Sequence, residues 1–280
     1  VMTYDELVTA VQDYCENTFP TADMNTMIKQ AEQNIYNTVQ IANLRKNVTG
    51  SLTTGNKYLQ CPSDFLSVYS IAVYAYAAPT ATGTSGQTTI VVSSATNISS
   101  GMYVSGTGIA SGATVSSVDG TTITLSSANT ATVSGTVTFQ GDYLYLLNKD
   151  VNFMREAYPN ALYKGLPKHY AIFGPRSDDV NELSFILGPT PDAAYNAELH
   201  YYYYPASIVD TQQTWLGDNF DTALFNATMM EAITYMKGEK DMVDLYQNRY
   251  IQAIALLKNL GDGKQRMDAY RDGQVRNPVK

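Results

Sequence analysis

The sequence predicts an α+β fold: a helical bundle formed by the N- and C-terminal helices plus an antiparallel β domain, with a small all-β module inserted into it. Three observations predict it. Helical periodicity is confined to the two ends of the 280-residue chain. Alternating, β-branched runs fill the middle. The composition also breaks sharply at Pro79 and again near Gln140, and these 62 residues hold one charge, Asp119, eight of the 19 glycines and one of the 22 tyrosines, Tyr103. The expected division is therefore 1–78 with 141–261 as an interrupted core, 79–140 as the insert, and 262–280 as an extended C-terminal arm.

The first helix starts at Thr3, where Thr3-Tyr4-Asp5-Glu6 spells a capping box. Leu7, Val8, Val11, Tyr14 and Cys15 form its apolar stripe, and Pro20 lies beyond its end. A second helix is expected after Asp23 as N-cap. Its buried face is Met27, Ile28, Ala31, Ile35, Val39 and Ala42, and it ends near Leu44. Val48–Leu52 and Lys57–Cys61 flank Thr54-Gly55-Asn56 as a hairpin. Leu66–Ala78 is apolar on both faces and reads as a buried strand.

Within the insert, 89–92, 102–104, 114–118, 121–125 and 136–139 are short β-branched strands. Ser105-Gly106, Ser111-Gly112, Asp119-Gly120 and Ser134-Gly135 separate them as turns. Five strands at this spacing predict a sandwich, immunoglobulin-like in kind, or a small barrel. Beyond the insert come a strand over Tyr143–Leu147 and a helical turn over Val151–Ala157. An antiparallel meander of His169–Phe173, Glu182–Leu187 and Ala197–Tyr204 follows. Two helices close the chain. The first, from about Asp221 to Met236, turns Leu224, Phe225, Ala232, Ile233 and Met236 inward. The second, from about Asp241 to Leu260 with Gly261 as its C-cap, turns Met242, Leu245, Tyr246, Ile251, Ile254 and Leu257 inward. Asp262–Lys280 has no periodicity and carries five Lys/Arg against three Asp, which reads as a partner-binding arm.

The chemistry of enzymes is hard to place on this chain. His169 and His200 are the two histidines, both on expected strands, and no G-x-S-x-G elbow accompanies either. Asp178, Asp179 and Glu182 read as turn residues, and Asp241 and Asp244 as first-turn carboxylates that complement a helix dipole. Gly106-Thr107-Gly108-Ile109-Ala110-Ser111-Gly112 lacks the spacing and the following helix of a phosphate loop. Cys15 and Cys61 cannot build a disulfide framework or a zinc site and read as buried thiols. No metal-ligand spacing appears, so no catalytic residue, cofactor or metal is expected. Residues 1–19 carry four carboxylates and no basic n-region, and Leu66–Ala78 is too short to span a bilayer; a soluble cytosolic chain with no membrane partner is expected. A net charge of −8 argues against a surface built to grip phosphates. Twenty-two tyrosines suit interfaces. The run Tyr201, Tyr202, Tyr203 and Tyr204 puts two on each strand face, and one face is a candidate contact with a neighbouring subunit.

Without its insert the chain resembles the head–tail adaptor (connector or gatekeeper) proteins of tailed bacteriophages, the short-tailed type especially. The likeness covers 3–78 and 141–276. It lies in ordered blocks: Thr3–Leu7; Ile28–Tyr36; Tyr58-Leu59-Gln60-Cys61-Pro62-Ser63-Asp64-Phe65-Leu66-Ser67-Val68; Gly165–Tyr170; Leu187–Pro191; Thr214-Trp215-Leu216; and the closing helices with Tyr246 and Tyr250. The resemblance implies a homo-oligomeric ring, usually of twelve, docked under the portal protein at the head–tail junction of the virion and assembled in the host cytoplasm. The arm, through Lys264, Arg266, Tyr270, Arg271 and Arg276, would grip the portal together with the helical bundle. The far end would receive the tail nozzle or tube, and DNA would pass the lumen without specific binding, an acidic wall repelling its phosphates. The alternative is a tail, decoration or fibre-associated protein with an adhesive β-module. Paired helices at both ends of the chain weigh against it.

Overall fold

The computed structural model describes residues 1–39, 42–174 and 183–265. Among them the helices are α1 (Tyr4–Cys15), α2 (Thr21–Thr38), α3 (Val151–Ala157), α4 (Ile208–Thr211), α5 (Trp215–Asn219), α6 (Asp221–Tyr235) and α7 (Lys240–Gln265). The strands before the insert's end are β1 (Arg45–Ser51), β2 (Tyr58–Gln60), β3 (Phe65–Tyr74), β4 (Tyr76–Ala77), β5 (Thr80–Gly83), β6 (Thr89–Val92), β7 (Tyr103–Ser105), β8 (Val115–Asp119), β9 (Thr122–Leu125), β10 (Val133–Thr136) and β11 (Thr138–Gln140). After it come β12 (Leu144–Tyr145), β13 (Leu147–Asn148), β14 (His169–Ile172), β15 (Ser184–Gly188) and β16 (Asn196–Tyr203). The fold is α+β, as the sequence predicts. It divides into a helical unit, Val1–Arg45 with the chain from Tyr202 onward, and a β unit, Lys46–Tyr201.

In the helical unit the capping box forms as expected. The Thr3 amide donates to Glu6 Oε2 at 2.8 Å, and Thr3 Oγ1 accepts from the Glu6 amide at 3.4 Å. The bonds that the Thr3 amide and hydroxyl donate to Oε2 hold the Glu6 carboxyl below its ordinary range. Leu7 and Val11 bury, but Tyr14 lies outside the core, its ring edge-on to Phe225 at 5.1 Å. α2 starts two residues ahead of Asp23, which sits in the first turn where a carboxylate still meets the positive end of the helix. It stops at Thr38, not Leu44. Val39 turns extended and buries its side chain, and Ala42–Leu44 is a separate 3-10 turn.

α6 packs between α2 and α7 and is buried nearly all round. Its polar groups are satisfied locally: Thr228 Oγ1 donates to Leu224 O at 2.8 Å and Asn226 Nδ2 to Thr222 O at 2.7 Å. α7 buries Tyr246, Ala253, Ile254 and Leu257. Met242, Leu245 and Ile251, expected inward, fall off that stripe and are exposed. The helix also passes through Gly261, its expected C-cap, to Gln265. A mid-helix glycine costs only about 1 kcal/mol, and the helix continues through both Gly261 and Gly263.

In the β unit the expected hairpin at Gly55 does not form. β1 is the edge of the sheet β1-β16-β3-β12, whereas β2 is the edge of β13-β14-β15-β2. The turn chemistry is present, with Gly55 at φ +79°, but the two strands find non-local partners. The expected meander stops after β14 and β15, because β16 crosses to the other sheet. The strand expected over Tyr143–Leu147 is split likewise: β12 pairs with β3, and β13 runs parallel to β14. Only the second half of β3, Ile71–Tyr74, is buried.

Residues 79–140 hold the five expected strands and two more, β5 and β10. Ser134-Gly135, expected as a turn, lies within β10. β8 and β9 form the hairpin at Asp119-Gly120, with Asp119 opposite Thr122 and Gly120 at φ +56°. The sheets β10-β5-β6-β9-β8 and β4-β11-β7 enclose their own core of Ile90, Val104, Ile123, Leu125, Val137 and Phe139. The Gly141 amide donates to Ala75 O at 2.9 Å, so the chain leaves this module beside the point where it enters.

Candidate functional site

The tyrosine run, Tyr201–Tyr203 in β16 and Tyr204 just beyond it, does not present four equivalent side chains. Tyr201 is buried: its ring stacks on Phe65 at 5.9 Å, and its hydroxyl donates to Asp64 Oδ1 at 2.8 Å. Tyr202 and Tyr204 pack on the helical core, Tyr202 with the Arg45 guanidinium 5.7 Å above its ring and Tyr204 with its hydroxyl bonded to Asn37 Oδ1. Tyr203 is half-buried.

Tyr204 borders a cleft of about 280 Å³ that also includes Lys29, Glu32, Tyr36 and Ser207. Glu32 is 3% exposed, and its Oε1 accepts from the Ile208 amide at 2.9 Å, so it helps cap α4. Burial pushes the Glu32 carboxyl up, although the bonds from Ser207 and Ile208 oppose this. Burial, with Glu32 beside it, also raises the Tyr36 hydroxyl. Lys29 and Asp210 pair at 3.3 Å on the exposed rim. The carboxylate is thus committed to tying the start of α4 to α2, which is a structural use.

The histidines are engaged in the sheets. His169 Nδ1 shares a 2.7 Å hydrogen bond with the Tyr158 hydroxyl, and His200 lies 4.9 Å from the Tyr69 ring. Burial pushes the Cys61 thiol up to about 12 and raises Cys15, whose Sγ lies 4.0 Å from Met229 Sδ. Gly108, in the glycine-rich run, has φ +85°, and a Cβ there would lie 2.9 Å from the backbone oxygens of Ala131 and Thr132. Close packing explains that glycine. Asp241 and Asp244 lie in the first turns of α7. Lys264 lies in the last turn of α7. Arg266, Tyr270, Arg271 and Arg276 lie outside the described residues, as do Asp178, Asp179 and Glu182. Among the described residues no three His, Cys, Asp or Glu side chains gather as a metal site, and no helix is long and apolar enough to cross a membrane.

A basic face of the β unit is absent from the sequence reading. Lys57, Arg155 and Tyr158 line one cleft of about 150 Å³ with Thr190, whose neighbour across a parallel bridge is Lys164. Lys57 Nζ lies 5.5 Å from the Tyr58 ring centroid, Tyr58 lies 5.9 Å from Phe173, and Arg155 lies 5.9 Å from Phe173. Lys149 covers Phe153 at 5.1 Å, and Phe153 meets His169 edge-on at 5.5 Å. Burial and then the charges of Lys149 and Lys168 lower the pKa of His169. The sequence signal is thin: 149–168 holds four cations against Asp150 and Glu156, and Lys57 joins them only through β2.

A family model for the SU10 adaptor protein matches residues 2–147 and 107–278. The chain belongs to the SU10 adaptor protein family. It is a bacteriophage adaptor, a structural protein of the phage particle that works against other head or tail proteins. No curated protein matches the adaptor. The family match spans both helical ends and runs through the insert from either side, so it covers the same blocks on which the resemblance rests.

Proposed function

We propose that this adaptor forms a ring of twelve copies between the portal and the tail nozzle or tube of a short-tailed phage, where it stabilises packaged DNA and provides the channel for its ejection. Membership of the SU10 adaptor family carries the reading. The helical unit supports it: α1 and α2 from one end of the chain and α6 and α7 from the other share one core, and α7 leads directly into the basic C-terminal residues.

In this reading Lys264, Arg266, Arg271 and Arg276 pair with acidic grooves of the portal and Tyr270 fills a pocket there. Tyr203 and the exposed rim of the tyrosine strand contact a neighbouring copy. Residues 79–140 form an added module that faces outward and contacts neither portal nor DNA, since one carboxylate and no cation leave it nothing to hold phosphates. Co-sedimentation with portal rings tests the arm. The full chain is expected to bind with an affinity that falls as salt rises. A chain ending at Gln265, which keeps α7 whole, is expected not to bind. Equal binding by both chains would move the contact to the helices.

A further inference from the structure

We propose that the basic, aromatic-studded face formed by Lys57, Lys149, Arg155, Lys164 and Lys168 is a sliding contact for the phosphate backbone of DNA. This inference rests on the reading that DNA passes through the adaptor. It reverses, for this face, the expectation that an acidic chain offers phosphates no surface.

The net charge of −8 hides a segregation. Lys149, Arg155, Lys164 and Lys168 are exposed, Lys57 is half-buried, and among the described residues none of the five has a carboxylate within ion-pair distance. Asp150 is occupied in accepting from the Asn152 amide at the start of α3, and Asp192 in accepting from the Tyr195 hydroxyl. Among the described residues five cations without an ion pair surround one short helix; that helix's own carboxylate, Glu156, offsets part of the positive field they make, and His169, depressed first by burial, registers part of that field. A field of this sign on a face of an otherwise acidic protein can attract an external anion.

The details favour a polyanion over an acidic protein surface. The cations come from five separate points of the chain and four are lysines, whose mobile point charges accept a phosphate in any register. Lys57 and Arg155 flank the ring pair Tyr58 and Phe173, and Phe153 and Tyr163 leave ring surface exposed for sugars or bases. No element of this face is shaped to enter a groove and read bases, so the contact is independent of sequence. The acidity of the rest of the chain keeps it weak, as suits a polymer that must move.

Fluorescence anisotropy of a labelled duplex of about 30 base pairs, titrated with the full chain, tests this. If all five cations meet phosphates, log K falls against log salt with a slope of about −4.5, which is roughly 500-fold between about 50 and 200 mM. K149Q/K164Q/K168Q, all exposed positions, is expected to reduce the slope to about −1.8. Absence of binding at about 50 mM salt would overturn the proposal, as would a triple variant with the wild-type slope. So would a variant that still binds DNA but no longer self-associates, which would assign the face to the acidic surface of a second copy. Particle imaging of the same samples separates the two readings. DNA binding without rings contradicts the ring alone, and rings without DNA binding contradict this face alone.

Discussion

Glu32 offers a sharp test of how the helical unit is held. Its carboxylate is buried, caps the Ile208 amide at 2.9 Å, and is raised mainly by that burial above its ordinary value of 4.5. A carboxyl whose folded pKa exceeds its unfolded one binds its proton more readily in the folded state. Its contribution is therefore fully present below pH ~4.5 and is lost as pH rises through the folded value. Glu32→Gln keeps an oxygen for the Ile208 amide and removes the buried charge. It is expected to be at least as stable as the parent at pH ~7–8, with the difference shrinking toward pH ~4. Glu32→Ala leaves the Ile208 amide buried without its acceptor, at a cost of about 1–3 kcal/mol. At about 2–4 °C per kcal/mol this lowers the melting temperature by roughly 2–12 °C. Trp215 is the single tryptophan and packs on the helical core, so its fluorescence follows this unit separately from the β unit. If Glu32→Gln melts as low as Glu32→Ala at pH ~7–8, the negative charge itself is stabilising, and the argument from burial is wrong.

Three further outcomes follow from the packing. Replacing Tyr76–Gln140 by a short Gly-Ser link joins Ala75 to Gly141, whose backbones already meet at 2.9 Å; the chain is expected to stay monodisperse with the Trp215 melt unchanged, and aggregation would show that the module is integral. Cys61, buried with its thiol pushed up to about 12, should resist a thiol reagent at pH ~8 until denaturant is added, while half-buried Cys15 reacts slowly; rapid labelling of Cys61 in the folded chain would contradict the burial. Tyr201→Phe loses the bond to Asp64 and should cost about 1 kcal/mol by denaturant titration, without changing self-association, because Tyr201 is buried; loss of self-association would place it in an interface.

Elements whose sequence signals are local were legible. The Thr3 capping box, the Asp119-Gly120 hairpin and the α3 turn each depend on residues within a few positions of one another, and each forms. The failures share a different cause. Thr54-Gly55-Asn56 carries hairpin chemistry, yet β1 and β2 are drawn to β16 and β15, more than a hundred residues away. Alternation predicts two tyrosines on each strand face, but it cannot say what covers each face: Tyr201 is buried, whereas Tyr202, Tyr203 and Tyr204 are half-buried and Tyr204 lies beyond the end of β16. Gly261 looks like a stop and is passed through, since its cost is small beside the packing of a long helix. The basic face was invisible because its cations are scattered from Lys57 to Lys168 and the net charge is negative.

The proposed function of this SU10-family adaptor requires it to close into a ring on the portal. Particle imaging of the purified chain, alone and mixed with portal rings, tests it most directly. The expected image is a closed twelvefold ring of adaptor stacked coaxially on the portal, with an open lumen wide enough for duplex DNA and the 79–140 modules on the outside. Monomers decorating the side of the portal, or an adaptor that leaves the portal bare at low salt, would contradict it.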